Sequence, residues 1–130
     1  MDKVISSLKF IFHLSVFFLI VISLFPGSLL GFFLYDDFGR EVDLINNPFG
    51  AAINHFIYYF YVTMLGLFVY LQDKNFQKIV YGLFLLSLTL EILQLVVPNR
   101  AFQLYDLLSN FFGVLVAYFL VKIYLLIRKS

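Results

Sequence analysis

Cysteine and tryptophan are absent from this 130-residue chain, and it holds only three prolines and two histidines. Without cysteine there is no disulfide, no thiolate nucleophile and no Cys-ligated metal centre. With His13 and His55 alone, a histidine-based zinc site is not expected, and no cofactor is expected. Charge is scarce as well. Only 13% of the residues are Asp, Glu, Lys or Arg, about half the share in soluble domains. A small soluble fold has a large surface for its volume, and this chain lacks the charge to cover one. The net charge of +1 and the absence of basic runs argue against a nucleic-acid partner.

What is present points to lipid. Apolar residues make up 62% of the chain, and 18 Phe and nine Tyr are among them. That aromatic content excludes disorder. The expected class is an all-α integral membrane bundle forming a single domain over residues 1–130, with four transmembrane helices. A span needs about 20 apolar residues, and no charge occurs between Lys9 and Asp36. The spans are expected at residues 8–26, 50–71, 79–97 and 102–127. Pro26-Gly27 punctuates the first, so Leu29 to Tyr35 becomes an interfacial or re-entrant segment. Pro98 closes the third. The first apolar run is longer than a signal-peptide core and no A-x-A-like site follows it, which favours a retained helix.

Lys and Arg fall unevenly. The N-terminus, the second loop and the C-terminal end hold seven, including Lys74 and Lys78; the first and third loops hold Arg40 and Arg100. By the positive-inside rule both termini face the cytoplasm. The expected location is the bacterial cytoplasmic (inner) membrane. The acidic first loop, with Asp36, Asp37, Glu41 and Asp43, reads most simply as a solvated loop.

Polar residues inside spans are costly and face the bundle interior. Here they share a depth. On about 1.5 Å rise per residue, His55, Glu91, Asp106 and Asn110 all lie within roughly 12 Å of the outer helix ends, with Arg100 in the turn above. Ser87, Glu91 and Gln94 fall on one helix face at i, i+4 and i+7. Asp106, Asn110, Gly113 and Ala117 share another, and Gly113/Ala117 is a small-xxx-small pair that admits a close neighbour. Tyr58 and Tyr59 share the face of His55.

The block from Glu91 through Gln94, Pro98, Arg100, Asp106 and Asn110 to Gly113 resembles the signature of the VanZ-like family, E-x-x-Q-x-x-x-P-x-R-x-x-x-x-x-D-x-x-x-N-x-x-G, at every fixed position. Asn54-His55-Phe56 with Tyr59 is similar to the family's upstream H-F-x-x-Y element, and Ser23-Leu-Phe-Pro26-Gly27 to its S-L-x-P-G element. Ala51-Ala52-Ile53-Asn54 stands where the family often has a lysine before the histidine. The resemblance spans about residues 20 to 120. It implies a small multi-helix membrane protein and, by the family's name, a link to resistance against the glycopeptide teicoplanin.

Two readings of the polar layer follow. In the first it is a pocket that binds or processes an anionic lipid-linked headgroup, such as a polyprenyl phosphate or a lipid-linked cell-wall precursor. His55, Glu91 and Asp106 are then the candidate catalytic residues. His55 would be general acid, base or nucleophile, Glu91 would orient it or act as base, and Asp106 would orient Arg100 or hold a metal ion. Arg100, Asn110, Gln94 and Tyr59 are the candidate binding residues, with Arg100 clamping phosphate through its planar fork. In the second reading the layer is a structural ionic network, with Glu91 paired to Arg100 and Gln94 as interhelical glue. It then supports an outer surface that binds a lipid-anchored antibiotic, a precursor or a partner protein. Oligomerisation is left open.

Overall fold

The computed structural model describes residues 2–71 and 76–129, without the side chains of Asp2 and Lys129. Gln72 to Asn75 lie outside the described residues, so Lys74 and most of the expected second loop do too. Five α-helices occur among the described residues: α1 (Asp2–Leu24), α2 (Leu29–Tyr35), α3 (Ala52–Val69), α4 (Phe76–Leu93) and α5 (Leu104–Lys129). A 3-10 turn, Gln94–Val96, extends α4.

Four stretches are long and apolar enough to cross a membrane: Lys3–Leu24, Ala52–Val69, Phe76–Val96 and Leu104–Arg128. Each overlaps one expected span. The largest difference is at the start, where α1 begins six residues before the expected boundary at residue 8. Helical hydrogen bonding does not stop at the first lysine, because a lysine can lay its stem on apolar surface and keep its charge outside. Lys9 does so against α3, with Nζ 5.2 Å from the centre of the Tyr70 ring.

The bundle is apolar on its outside and encloses an apolar core that also holds buried polar residues. Phe10, Phe17, Leu85, Phe112 and Phe119 are exposed, whereas Ser15, Thr63, Ser87, Glu91, Gln94, Asp106 and Asn110 are buried. In water this distribution would be unstable; in lipid it places each polar group where the other helices can satisfy it.

Helix α5 packs mainly on α3, and the two run in the same direction. His55 lies beside Asn110, and one turn further Phe56 and Phe60 back onto Gly113. Helix α4 runs opposite to α5, with Phe84 edge-on to Phe111 at 5.0 Å and Phe76 beside Tyr118. Helix α1 runs opposite to α3. Phe12 sits on Tyr70, and the Tyr58 hydroxyl donates to the Ser15 carbonyl at 3.0 Å. The C-terminal ends of α1 and α4 therefore meet the N-terminal ends of α3 and α5 at one end of the bundle.

The chain between α1 and α3 folds over that end. Gly27 takes a left-handed φ of 103°, and Ser28 caps α2, its hydroxyl accepting from the Gly31 N–H at 2.9 Å. Asp36 ends α2 in the left-handed region. The expected segment Leu29 to Tyr35 is thus a short helix. The acidic residues Asp36, Asp37, Glu41 and Asp43 are exposed, as expected of a solvated loop, while the loop backbone is packed. It packs against Gly31, where any Cβ would collide with the Arg40 and Asp37 carbonyls. Asn54 holds its far side, donating to the Val42 carbonyl at 2.5 Å and accepting from the Leu44 N–H at 3.1 Å.

Gly113 separates tight from loose packing. A Cβ there would lie 2.5 Å from the Phe56 carbonyl oxygen and 2.9 Å from the Phe60 nitrogen, both backbone atoms that cannot move aside. Gly113→Val is expected to destabilise the protein by about 1–3 kcal/mol. Gly82, with nothing within 4 Å of its Cβ position, should accept alanine without loss. Thermal unfolding of the two purified variants checks both.

Candidate functional site

Three helices deliver the buried polar groups to the closed end of the bundle. Glu91 lies on the inner face of α4, four residues after Ser87 and three before Gln94, and all three are buried. Asp106 is in the first turn of α5, where the helix dipole favours a carboxylate. Asn110 follows one turn later on the same face, at 2% exposure. His55 enters from the first turn of α3, half-buried.

His55 is held at both ring nitrogens by α5. Its Nδ1 lies 3.1 Å from Asn110 Oδ1, and its Nε2 lies 3.4 Å from Asp106 Oδ2. One donor atom from each of His55, Glu91 and Asp106 can be chosen so that all three lie within 4.8 Å of one another. Glu91 is only 1% exposed. The Asn110 side chain and the Gln103 backbone adjoin its carboxyl group, and its Oε2 is buried without a hydrogen-bond partner. The ring is thus oriented by Asp106 and Asn110, where Glu91 was the expected orienting group.

Arg100 does something the sequence does not reveal. Pro98 and Asn99, the latter at φ 59°, turn the chain so that Arg100 points back across α1. Its Nε donates to the Phe25 carbonyl at 3.0 Å and its Nη2 to the Ile22 carbonyl at 2.9 Å. Gln94 Nε2 donates to the Ser23 carbonyl at 3.1 Å. A helix leaves its last four carbonyls unpaired; here two side chains from the far side of the bundle satisfy the end of α1. The Arg100–Glu91 ion pair weighed from the sequence is absent among the described residues, as is direct orientation of Arg100 by Asp106. Burial lowers the Arg100 pKa from its ordinary value, and Glu41, Asp106 and Glu91 act against that shift. An arginine nonetheless stays charged in proteins.

A cavity of about 230 Å³ opens beside these groups. Leu19 and Ile22 of α1, with Leu29 and Leu30 of α2, give it an apolar wall. Asn54, His55, Tyr59, Gln94, Arg100 and Asp106 give it a polar one, and Glu41 with Val42 comes from the loop. Glu91 lies behind the wall. Sequence reasoning missed Asn54 and Glu41. The signal for Asn54 was its place beside His55 at the start of a span; Glu41 carried none, because a loop carboxylate is ordinary. His13 stays at the other end, its Nδ1 2.7 Å from the Lys9 carbonyl.

The brace at the end of α1 predicts a structural phenotype for Arg100→Lys. Lysine cannot reproduce two divergent N–H donors. Loss of one charge-assisted hydrogen bond is expected to lower stability by about 1.5–3 kcal/mol, read as a drop in the unfolding temperature of the purified protein.

Comparison with known proteins adds the family. No curated protein and no solved structure matches the chain. The family model described as VanZ/LLP1 matches residues 59–126, just over half of the chain. The match takes in Tyr59, Glu91, Gln94, Arg100, Asp106 and Asn110 and begins four residues after His55. With four helices able to span a membrane and the polar groups of that segment gathered at one end of the bundle, the chain belongs to the VanZ/LLP1 family of proteins.

Proposed function

We propose that the cavity takes the headgroup of an anionic lipid, with a polyprenyl phosphate or a lipid-linked cell-wall precursor as the ligand class. The observation that carries this reading is the division of the cavity wall. Helices α1 and α2 supply mainly leucine and isoleucine side chains, with Ser23 and Ser28 between them, while α3, α5 and the turn before α5 supply His55, Asn54, Asp106 and Arg100. An amphipathic molecule matches such a wall, with its first isoprenoid or acyl carbons on the leucines and its headgroup on the polar side. Ligand sites of this type combine apolar walls with a few placed polar groups. Arg100 and His55 are the basic residues lining the cavity, beside the carboxylates of Glu41 and Asp106. With two of its nitrogens donating to α1 carbonyls, Arg100 contributes charge rather than a free fork.

His55 suits proton transfer to or from a bound headgroup, because both its nitrogens are oriented and it lines the cavity. Binding without chemistry needs the same contacts, and the enzymatic and scaffold readings part only on turnover. By the positive-inside rule this end of the bundle faces away from the cytoplasm, and the membrane is the bacterial cytoplasmic one. There, altered presentation of a lipid-linked precursor is the route by which such a protein would touch glycopeptide sensitivity.

Purified protein in nanodiscs, titrated with a polyprenyl phosphate and separately with the unphosphorylated polyprenol, tests the reading. The phosphate is expected to raise the unfolding temperature and the alcohol is not. His55→Ala is expected to weaken phosphate binding roughly 10-fold or more, the scale of one lost hydrogen bond to a charged group. Equal stabilisation by both lipids, or none by either, contradicts a headgroup site.

A further inference from the structure

We propose that His55, Glu91 and Asp106 form a binding site for a divalent first-row transition-metal ion. Their donor atoms already converge within 4.8 Å, from three helices. The His55 Nε2 to Asp106 Oδ2 distance is 3.4 Å. Two ligands placed at about 2.1 Å from a tetrahedral ion would be separated by roughly 3.4 Å. This edge needs no rearrangement, and Glu91 needs only a small side-chain movement.

The surroundings of each donor support the same assignment. In the tautomer whose Nδ1–H donates to Asn110 Oδ1 (3.1 Å), the lone pair of Nε2 faces the carboxylate of Asp106. A lone pair facing a carboxylate is repulsive unless a cation or proton lies between them. Metal-ligating histidines are held in this way, their other ring N–H donated to an oxygen of the surrounding shell. Glu91 is 1% exposed and its Oε2 has no hydrogen-bond partner. A buried unpaired carboxylate oxygen is expensive, and a metal ion would satisfy it. When both carboxylates are ionised they carry two negative charges beside the imidazole, which a divalent ion balances. Arg100 does not balance them by contact, because its Nε and Nη2 are engaged at α1.

The donor set also selects the ion. An imidazole with two carboxylates suits Zn²⁺ or Mn²⁺, whereas Ca²⁺ and Mg²⁺ favour all-oxygen shells. The small number of histidines argues against a site of several imidazoles, not against one of this composition. His55 and Asp106 line the cavity, so water or an oxyanion can complete the coordination. The ion site does not rest on the headgroup reading; with Nε2 on the ion and Nδ1–H on Asn110, His55 would act on an anionic headgroup through the ion rather than by proton transfer.

The test uses full-length protein in detergent, stripped with a chelator and titrated with Zn²⁺ or Mn²⁺ in the absence of any phosphate-bearing ligand. One saturable site per chain is expected, with Mg²⁺ unable to compete at equal concentration. Glu91→Gln, Asp106→Asn and His55→Ala are each expected to lower affinity at least 10-fold while circular dichroism and gel-filtration profiles stay unchanged. Asn110→Ala is expected to lower it about 10- to 100-fold through the ring orientation, and His13→Ala to leave it unchanged. Absence of a saturable site in the wild-type protein overturns the proposal without reference to any variant. Unchanged affinity in a folded Glu91→Gln protein overturns the assignment of these ligands.

Discussion

Gly113 lets helices α3 and α5 come so close that backbone meets backbone, and the arrangement of the polar groups depends on that approach. Helices in lipid gain little from burying apolar surface against each other, since the surrounding chains are equally apolar. Their association relies on tight packing and on hydrogen bonds between helices. The hydrogen at Gly113 leaves room for the Phe56 carbonyl and the Phe60 nitrogen. One turn away, the same closeness brings His55 within reach of Asp106 and Asn110. Because α3 and α5 run the same way, all three groups belong to the same end of the bundle.

The other constraint at that end is the backbone. Membrane-embedded polar groups must find partners within the protein, and the terminus of α1 exposes carbonyls that its own helix cannot pair. Arg100 and Gln94 reach across to Ile22, Ser23 and Phe25. They tie α1 to the turn between α4 and α5, and so define one wall of the cavity. Asn54 performs a similar service for the loop over the site, joining Val42 and Leu44 to the start of α3. Arg100 and Gln94 thus brace the end of α1 while also lining the cavity.

Much of this was legible in the sequence because it is periodic. The spacing of Ser87, Glu91 and Gln94 named one buried face, and Asp106, Asn110, Gly113 and Ala117 named another; both faces are buried in the fold. Four charge-poor runs gave four helices. The partners of Arg100 were not legible, because carbonyl acceptors belong to every residue and leave no mark in composition. An electrostatic pairing with Glu91 was the natural expectation, and the described residues contain no such pair. The loop's carboxylates are exposed, as their composition implies, but the packing of its backbone was not legible, because it comes from Gly31 and Asn54, outside the charged stretch. Helix α1 starts before the expected span because a change from apolar to charged residues marks a membrane boundary rather than a helix boundary.

Everything at this end turns on the His55 ring lying between two side chains of α5, Asn110 at Nδ1 and Asp106 at Nε2. Nitrogen-15 NMR of selectively histidine-labelled protein in nanodiscs measures this directly, since the chain has only two histidines and His13→Ala assigns them. His55 is expected to show a fixed protonated Nδ1, with Asn110→Ala perturbing the Nδ1 resonance and Asp106→Asn perturbing Nε2. A His55 ring that exchanges freely between tautomers and ignores both substitutions would contradict this arrangement.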